Sequence, residues 1–317
     1  MSKRVAFVFG GGGSRGALQV GALRAFLESG IYPDMVVGTS VGAINATFLG
    51  MNGFSEESLS DLEAAWHDTL EADLLPANYL WLTVRVLFNR VRIYPATRLR
   101  DFFVAHGVTP YLRFADLDGP RLIQVTADLN NYRSHLYGTD PEQSVLEGLL
   151  ASTALPPWMM PLEVQDHFLI DGGVISNLPI EPAINQGAIE IYALDLSDPS
   201  EIEVETQGFG AFYSKLIATI EERQIFLELE LAKARQVPVH YLRLKAVPPV
   251  PIWDFTYTSD LIDQGHQITR QFLRALQQGR QNPLQRWTVI MRERLRSLRM
   301  LSTQDDHHNE WVDDERM

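Results

Sequence analysis

The chain has 317 residues and a formal net charge of -13 at pH 7, with 45% hydrophobic and 21% charged residues. This is the composition of a soluble globular protein with enough apolar residues for a sizeable core. The acidic balance argues against nucleic-acid binding, which needs clustered Lys and Arg, and against general adsorption to anionic membranes. The sequence contains no cysteine, so disulfides and thiolate chemistry are excluded, and a cytoplasmic location is expected.

The N-terminal apolar run is too short for a signal peptide, and no stretch approaches the roughly 18 apolar residues of a spanning helix. We therefore expect any contact between this chain and a membrane to be peripheral.

A strand, a glycine-rich turn and a helix open the chain, and a second strand and helix follow. The predicted elements are a buried strand at Arg4–Phe9, a helix over 17–30 that stops at Gly30, a strand at Asp34–Ser40 and a helix at Val41–Gly50. Two such units in succession predict a parallel α/β sheet.

The remaining elements are predicted from the same periodicities. Helices are expected at Ser55–Leu70, Ala96–Gly107, 211–236 and 260–279, and strands at Arg121–Leu129, Tyr132–Gly138, His167–Gly173, Ala188–Leu196 and Val239–Lys245. The polar stretch Asp198–Gly208 is typical of a domain boundary.

The glycine-rich loop "GGGGSRG" (Gly10–Gly16) fits more than one kind of site. It does not fit a phosphate loop, because Arg15 and Gly16 stand where that motif requires Gly-Lys. Gly11, Gly13 and Gly16 match a dinucleotide fingerprint. That fingerprint needs an acidic residue at the end of the second strand, whereas Asp34 stands at its beginning. A nucleotide-binding oxidoreductase is therefore an alternative that lacks its ribose partner.

The second strand ends in "GTSVG", a G-x-S-x-G motif formed by Gly38, Ser40 and Gly42. A serine between an apolar strand and a helix is in the setting of a nucleophile elbow. The two glycines remove side chains that would clash in so sharp a turn. The glycine-rich loop, at the same edge of a parallel sheet, would then supply N–H groups to the oxyanion formed when Ser40 attacks an ester.

A nucleophilic serine needs a base, and none of the eight histidines stands out. His167, at the start of a predicted strand, is the best of them. Asp171 ends the same strand in "LIDGG", followed by Gly172 and Gly173. Both residues stay open as the base on this reasoning.

Together, "GGGGSRG", "GTSVG" and "DGG" (Asp171–Gly173) resemble the three motifs of the patatin-like phospholipases, in that family's order. The runs "GTSVGAINA" and "ASTALPPWMMPLEVQDHFLIDGGVISNLPI" also resemble bacterial members. The third motif more often ends in alanine, and Gly173 is a variant that the family also shows. The resemblance covers residues 4–196.

The resemblance implies a three-layer α/β/α fold with a mostly parallel central sheet. It implies hydrolysis of fatty acyl esters of phospholipids or lysophospholipids by a Ser40–Asp171 dyad without histidine, metal or cofactor. Gly11, Gly12 and Gly13, with Arg15 and Gly16, would form the oxyanion site, and the glycines beside Ser40 and Asp171 would support it. A lipid-binding protein that has lost activity is a further alternative.

These inferences predict a patatin-like catalytic domain over residues 4–196, a mainly helical extension over 197–302 and a disordered tail over 303–317. The acyl chain would lie near Trp158, Met159 and Met160, although core packing is the more common use of such residues. The apolar stretch Asn78–Tyr94 fits either a lid that touches lipid or a helix packed on the sheet.

Overall fold

The computed structural model describes residues 4–72, 96–156, 159–198 and 209–281. The chain divides into two compact units, Met1–Arg270 and Gln271–Met317, and everything described below lies in the first unit except the last turns of the final helix. The strands are β1 (Val5–Phe9), β2 (Met35–Thr39), β3 (Arg121–Asp128), β4 (Arg133–Tyr137), β5 (Leu162–Val164), β6 (His167–Asp171), β7 (Glu190–Asp195) and β8 (Val239–Arg243). The helices are α1 (Gly16–Glu28), α2 (Val41–Asn52), α3 (Glu56–Ala72), α4 (Ala96–Ala105), α5 (Val145–Ser152), α6 (Gly173–Ser176), α7 (Ile180–Asn185), α8 (Phe209–Ala234) and α9 (Thr258–Gln281).

The described strands form one sheet in the order β5-β6-β3-β2-β1-β7-β8, with β4 also paired to β3. The five strands from β3 to β8 along this order are mutually parallel. β4, β5 and β6 add antiparallel pairs at the β3 end. The predicted mostly parallel sheet is confirmed, and β8 extends it at the opposite edge.

Helices cover both faces of the sheet. Alternate residues of the central strands, such as Val8, Val37 and Ala193, pack with α7 and α8 in one apolar core. The intervening residues point the other way, where the Phe7 ring packs against the rings of Phe26 of α1 and Tyr192 of β7. Since a strand alternates its side chains between faces, this pattern confirms the three-layer α/β/α architecture.

The helix α3 begins with reciprocal hydrogen bonds between two serines. The Ser58 N–H donates to Ser55 Oγ at 3.2 Å, and the Ser55 N–H donates to Ser58 Oγ at 2.9 Å. A serine thus replaces the usual Glu or Gln of a capping box.

Most of the predicted elements lie within two or three residues of the observed ones, with two differences. The predicted strand His167–Gly173 ends at Asp171, because Gly173 already begins α6. The elements β5, α5 and α7 were missed. The sequence of α5, VLEGLLAS, is apolar and buried around most of its circumference, so it lacks the one-sided periodicity that marks a surface helix.

None of the described helices is both long enough and apolar enough to cross a membrane. The predicted helix or lid at Asn78–Tyr94 lies outside the described residues. So do residues 199–208, within the predicted boundary, and the predicted tail, and the proposed domain limits therefore stay predictions.

Candidate active site

Ser40 stands alone between β2 and α2. Its backbone has φ 55° and ψ -126°, a region that residues with a side chain rarely occupy. Such a turn needs close backbone approach on both sides. A Cβ on Gly38 would collide with the Gly42 carbonyl, and a Cβ on Gly42 would collide with the Phe9 carbonyl. The turn from β2 into α2 is therefore as sharp as a nucleophile elbow requires, with Ser40 half-buried at its tip.

Asp171 ends β6 and is buried, with 1% of its surface exposed. Its Oδ1 accepts a hydrogen bond from the Gly173 N–H at 2.8 Å, while Oδ2 has no hydrogen-bond partner of ordinary geometry within the described residues. Burial raises the pKa of Asp171 to about 6, although its interactions with the Ser40 hydroxyl and the Gly173 N–H act in the opposite direction. The Ser40 side chain therefore lies next to the Asp171 carboxyl group, but the two groups are not aligned as in an ordinary hydrogen bond.

The sheet brings the two residues together through β3. Thr39 of β2 pairs with Val125, and Asp171 of β6 pairs with the next residue, Thr126. β4 occupies the other edge of β3 at these positions, so β2 and β6 share one edge. Since β6 runs antiparallel to β3 and β2 runs parallel to it, the carboxyl ends of β2 and β6 meet.

The glycine-rich loop passes next to this meeting point, since a Cβ on Gly11 would lie 3.2 Å from the Ser40 Cβ. The Gly11 N–H is already engaged, because it donates to the Asn177 carbonyl at 3.1 Å. No described group accepts a hydrogen bond from the N–H of Gly12 or Gly13. Gly13 has φ 58°, a left-handed conformation that favours glycine.

Arg15 fixes the orientation of one loop peptide. Its Nε donates to the Gly12 carbonyl at 3.3 Å, and its backbone N–H donates to the same oxygen at 3.3 Å. Because a trans peptide directs its C=O and N–H to opposite sides, the Gly13 N–H is turned away from Arg15. Burial raises the pKa of Glu221 to about 7, and the positive charge of Arg15 acts in the opposite direction.

The other glycines have packing roles. Gly16 lies against Val41 and Trp66, where a side chain would collide, and its carbonyl accepts a hydrogen bond from Asn45. Gly172 lies against Val125 and Thr39. Gly11 therefore lies directly against Ser40, whereas Gly16 contacts Val41 and Trp66.

Residues 7–184, more than half of the chain, match the sequence model of the patatin-like phospholipases. The chain belongs to the patatin-like phospholipase family. Its similarity to curated relatives extends beyond the matched region. It is 29% identical over 298 residues to human patatin-like phospholipase domain-containing protein 6, covering 83% of this chain and 20% of that protein.

Another relative is the protein of Neurospora crassa named lysophospholipase nte1, which is 25% identical over 313 residues, covering 89% of this chain and 19% of that protein. The chain thus spans about a fifth of the length of these relatives. Among solved structures, VipD from Legionella pneumophila aligns with 14% identity and a TM-score of 0.44, covering 86% of this chain and 67% of that chain.

In this member of the patatin-like phospholipase family, an apolar cavity opens beside Ser40. It runs between α2, α3, α4 and α5, and its walls include Ile44, Phe48, Met51, Trp66, Phe103 and Leu149. Met159, one of the residues predicted to contact an acyl chain, also lines it. Met160 is 62% exposed and is not part of the wall, and Trp158 lies outside the described residues.

His167, the alternative base in the sequence analysis, is engaged elsewhere. Its Nδ1 lies 2.6 Å from Asp128 Oδ2, and it precedes Asp171 by four positions on the same strand. Four strand residues span about 13 Å, which is too far for His167 to receive a proton from Ser40.

Three residues that hold the site together were missed in the sequence. The Ser152 hydroxyl accepts a hydrogen bond from the Ser40 N–H at 3.1 Å and donates to the Val125 carbonyl at 2.7 Å. Thr39 Oγ1 donates to the Ser176 carbonyl at 2.8 Å, and Asn177 accepts from Gly11. Small polar residues of this kind have no motif of their own, and only their contacts identify them.

Proposed function

We propose that this chain hydrolyses fatty acyl ester bonds of phospholipids or lysophospholipids through an acyl-enzyme on Ser40. The observation that carries the proposal is the juxtaposition of Ser40 with the buried carboxyl group of Asp171, whose Oδ2 has no ordinary hydrogen-bond partner in the described residues. Membership of the family and the names of the relatives support a lipid ester as the substrate.

Asp171 acts as the base. With a pKa of about 6, its carboxyl group is ionised at neutral pH, yet it is a stronger base than an exposed aspartate. It accepts the proton of the Ser40 hydroxyl as the oxygen forms a bond to the ester carbonyl carbon. The protonated Asp171 then returns that proton to the departing alcohol.

The N–H groups of Gly12 and Gly13 stabilise the oxyanion of the tetrahedral intermediate. They suit this role because, in the described part of the chain, neither is engaged, whereas the Gly11 N–H is bonded to Asn177. Gly11 serves by allowing close approach to Ser40, and Arg15 serves by holding the Gly12 carbonyl. A donor that is fixed before the reaction contributes a factor of about 10²–10³ in rate.

Hydrolysis of the acyl-enzyme repeats the same chemistry. Asp171 accepts a proton from water, the resulting hydroxide attacks the acyl carbon, and the ester bond to Ser40 breaks. The proton then returns to Ser40, and a fatty acid is released. The cavity beside Ser40 holds the acyl chain throughout, because its walls are almost entirely apolar.

The oxidoreductase alternative is disfavoured by the packing of the glycine-rich loop. A pyrophosphate would need the N–H groups at the start of α1. The Gly16 N–H, the first of α1, instead donates to the Gly13 and Ser14 carbonyls, and the Ser14 N–H just before the helix donates to the Ile252 carbonyl at 2.8 Å. Cytoplasmic location and peripheral membrane contact stay predictions.

We expect Ser40→Ala and Asp171→Asn each to lower kcat for a soluble short-chain ester by about 10⁴-fold or more, since each removes one half of the dyad. The measurement is hydrolysis by purified, folded protein together with labelling by a fluorophosphonate probe. Labelling should disappear in Ser40→Ala.

His167→Gln is the matched control and should retain turnover. If Asp171→Asn keeps its activity while His167→Gln loses it, the base is not Asp171. Absence of both hydrolysis and labelling in the unmodified protein would favour the alternative of an inactive lipid-binding protein.

A further inference from the structure

A cluster of metal-ligating side chains lies outside the candidate active site. Asp128 at the end of β3, His135 on β4 and His167 on β6 each present one potential ligand atom, and these atoms all lie within 4.8 Å of one another. The strand pairing explains the cluster. Thr126 pairs with both His135 and Asp171, and Asp128 pairs with Leu169, so the three side chains share one sheet face.

We propose that Asp128, His135 and His167 bind a divalent transition-metal ion of the zinc type. Imidazole nitrogen and carboxylate oxygen are the ligands such ions accept, and three protein ligands leave one position for water or an added ligand. None of these residues takes part in the proposed ester hydrolysis, so this site stands or falls independently of it.

The geometry is close to that of a bound ion. The contact between His167 Nδ1 and Asp128 Oδ2 is 2.6 Å, whereas two ligands about 2.0–2.1 Å from a tetrahedral zinc ion lie about 3.3 Å apart. A small rotation of the His167 ring would admit the ion. The His167 side chain is 27% exposed, so its ring has room to rotate and the ion has a route of entry from solvent.

The second sphere is also in place. Asp128 is buried, and its carboxylate is held by the Asn130 N–H at 3.0 Å and the Asn131 side chain at 2.6 Å. Such outer partners orient a ligating carboxylate and strengthen metal binding. The two imidazole rings stand with centroids 4.8 Å apart, so they can converge on one ion.

A metal ion here would tie β4 and β6 to the end of β3. The pairing between β6 and β3 covers only three residues, and it is this pairing that carries Asp171 to Ser40. Because the ion would bind the folded state, it would raise the thermal stability of the protein. The expected role is structural.

The test is titration of the full, chelator-treated chain with zinc chloride by calorimetry, and with cobalt(II) by visible absorption. We expect one saturable equivalent per chain and a raised Tm. His135→Ala and His167→Ala should each weaken binding at least about tenfold. Within the described residues the His135 ring makes no hydrogen bond, so His135→Ala should fold, and His135→Gln provides a second variant.

Two controls separate this cluster from other histidines. His240 lies 2.9 Å from Glu190 Oε1, and the described residues place no third metal-ligating group with this pair. His240→Ala should therefore bind zinc as the unmodified protein does. His307 and His308, which follow two aspartates in the sequence, form another potential zinc-binding group. If zinc binds at the proposed cluster, the double variant His307→Ala/His308→Ala should still bind one equivalent of zinc per chain. Absence of saturable binding, binding unchanged in His135→Ala, or binding lost in the double variant would each overturn the proposal.

Discussion

At the scale of single residues, the site combines two energetically unfavourable features. Ser40 adopts a positive φ of 55°, and Asp171 places a carboxyl group where almost no water reaches it. Each costs folding free energy, and each would serve the proposed reaction, because a strained turn exposes the proposed nucleophile and a desolvated carboxylate is a better base. Functional sites commonly trade stability for activity in this way.

Asp171→Asn should therefore be more stable than the unmodified protein at neutral and alkaline pH. Since the pKa of Asp171 rises from 3.8 to about 6 on folding, the folded state binds its proton more tightly than the unfolded state. The unmodified protein thus loses stability as the pH rises from about 4 to about 6, and an amide does not. The difference corresponds to about 3 kcal/mol as an order of magnitude.

The measurement is the free energy of unfolding by denaturant at about pH 4 and about pH 8. The gain from Asp171→Asn should be larger at the higher pH. Asp166→Asn, the same change at an exposed turn residue, is the control and should show no such gain. An equal effect of Asp171→Asn at both pH values would contradict a raised pKa.

At the scale of secondary structure elements, the end of α5 joins the two halves of the site. Ser152, its last residue, accepts a hydrogen bond from the Ser40 N–H at 3.1 Å, and two residues later the Ala154 carbonyl accepts from the Asp171 N–H at 3.0 Å. One short segment thereby holds the backbone of Ser40, the proposed nucleophile, and the backbone of Asp171, the proposed base. The distance between these two groups depends on α5 as much as on the sheet.

Ser152→Ala should lower kcat about tenfold with little change in KM for a short soluble ester, because the Ser40 backbone loses its support and the reacting groups shift. It should also cost about 1–3 kcal/mol of stability, since the partly buried Ser40 N–H and the buried Val125 carbonyl lose their hydrogen bonds to the hydroxyl. Steady-state kinetics at matched folded fractions measure the first effect, and denaturant unfolding measures the second.

Ser58→Ala is the matched control, because it removes another buried hydroxyl whose partners lie at the start of α3. It should lower stability without a specific loss of kcat, and Ser152→Thr should restore part of the activity. Equal kinetic effects of Ser152→Ala and Ser58→Ala would show that Ser152 acts only through stability.

At the scale of the whole molecule, the helices on one face of the sheet leave a cavity between them. α2 begins directly after Ser40 and runs along the cavity, so that Ile44, Phe48 and Met51 lie on the cavity wall at increasing distance from Ser40. Met51 lies about 10 Å further along the helix axis than Ile44. If the proposed acyl chain lies in this cavity, its successive carbons would pass these three residues in turn.

Tryptophan at these two positions should have different effects. Ile44→Trp blocks the cavity close to Ser40 and should reduce hydrolysis of short-chain and long-chain esters alike. Met51→Trp fills only the distant part and should reduce hydrolysis of long-chain esters at least about tenfold while sparing short ones. The measurement is kcat/KM across a series of acyl lengths, and identical length profiles for the two variants would place the acyl chain elsewhere.

The local features of this protein are encoded in short stretches of its sequence. A strand, a sharp turn and a helix are specified by residues that are neighbours along the chain. Sequence motifs therefore identify Ser40 with its flanking glycines, the glycine-rich loop and the turn after Asp171. The parallel sheet follows from the repetition of the same unit. These features depend on backbone sterics and periodicity, which act over a few residues.

Tertiary packing determines which side chains and backbone groups of the site come into contact. It directs His167 to Asp128 and leaves Asp171 beside Ser40, although both residues lie on the same strand. It engages the Gly11 N–H and leaves those of Gly12 and Gly13 without a described acceptor. The physical reason is that strand register and helix packing depend on contacts between distant segments, and a shift of one residue turns every side chain of a strand to the opposite face.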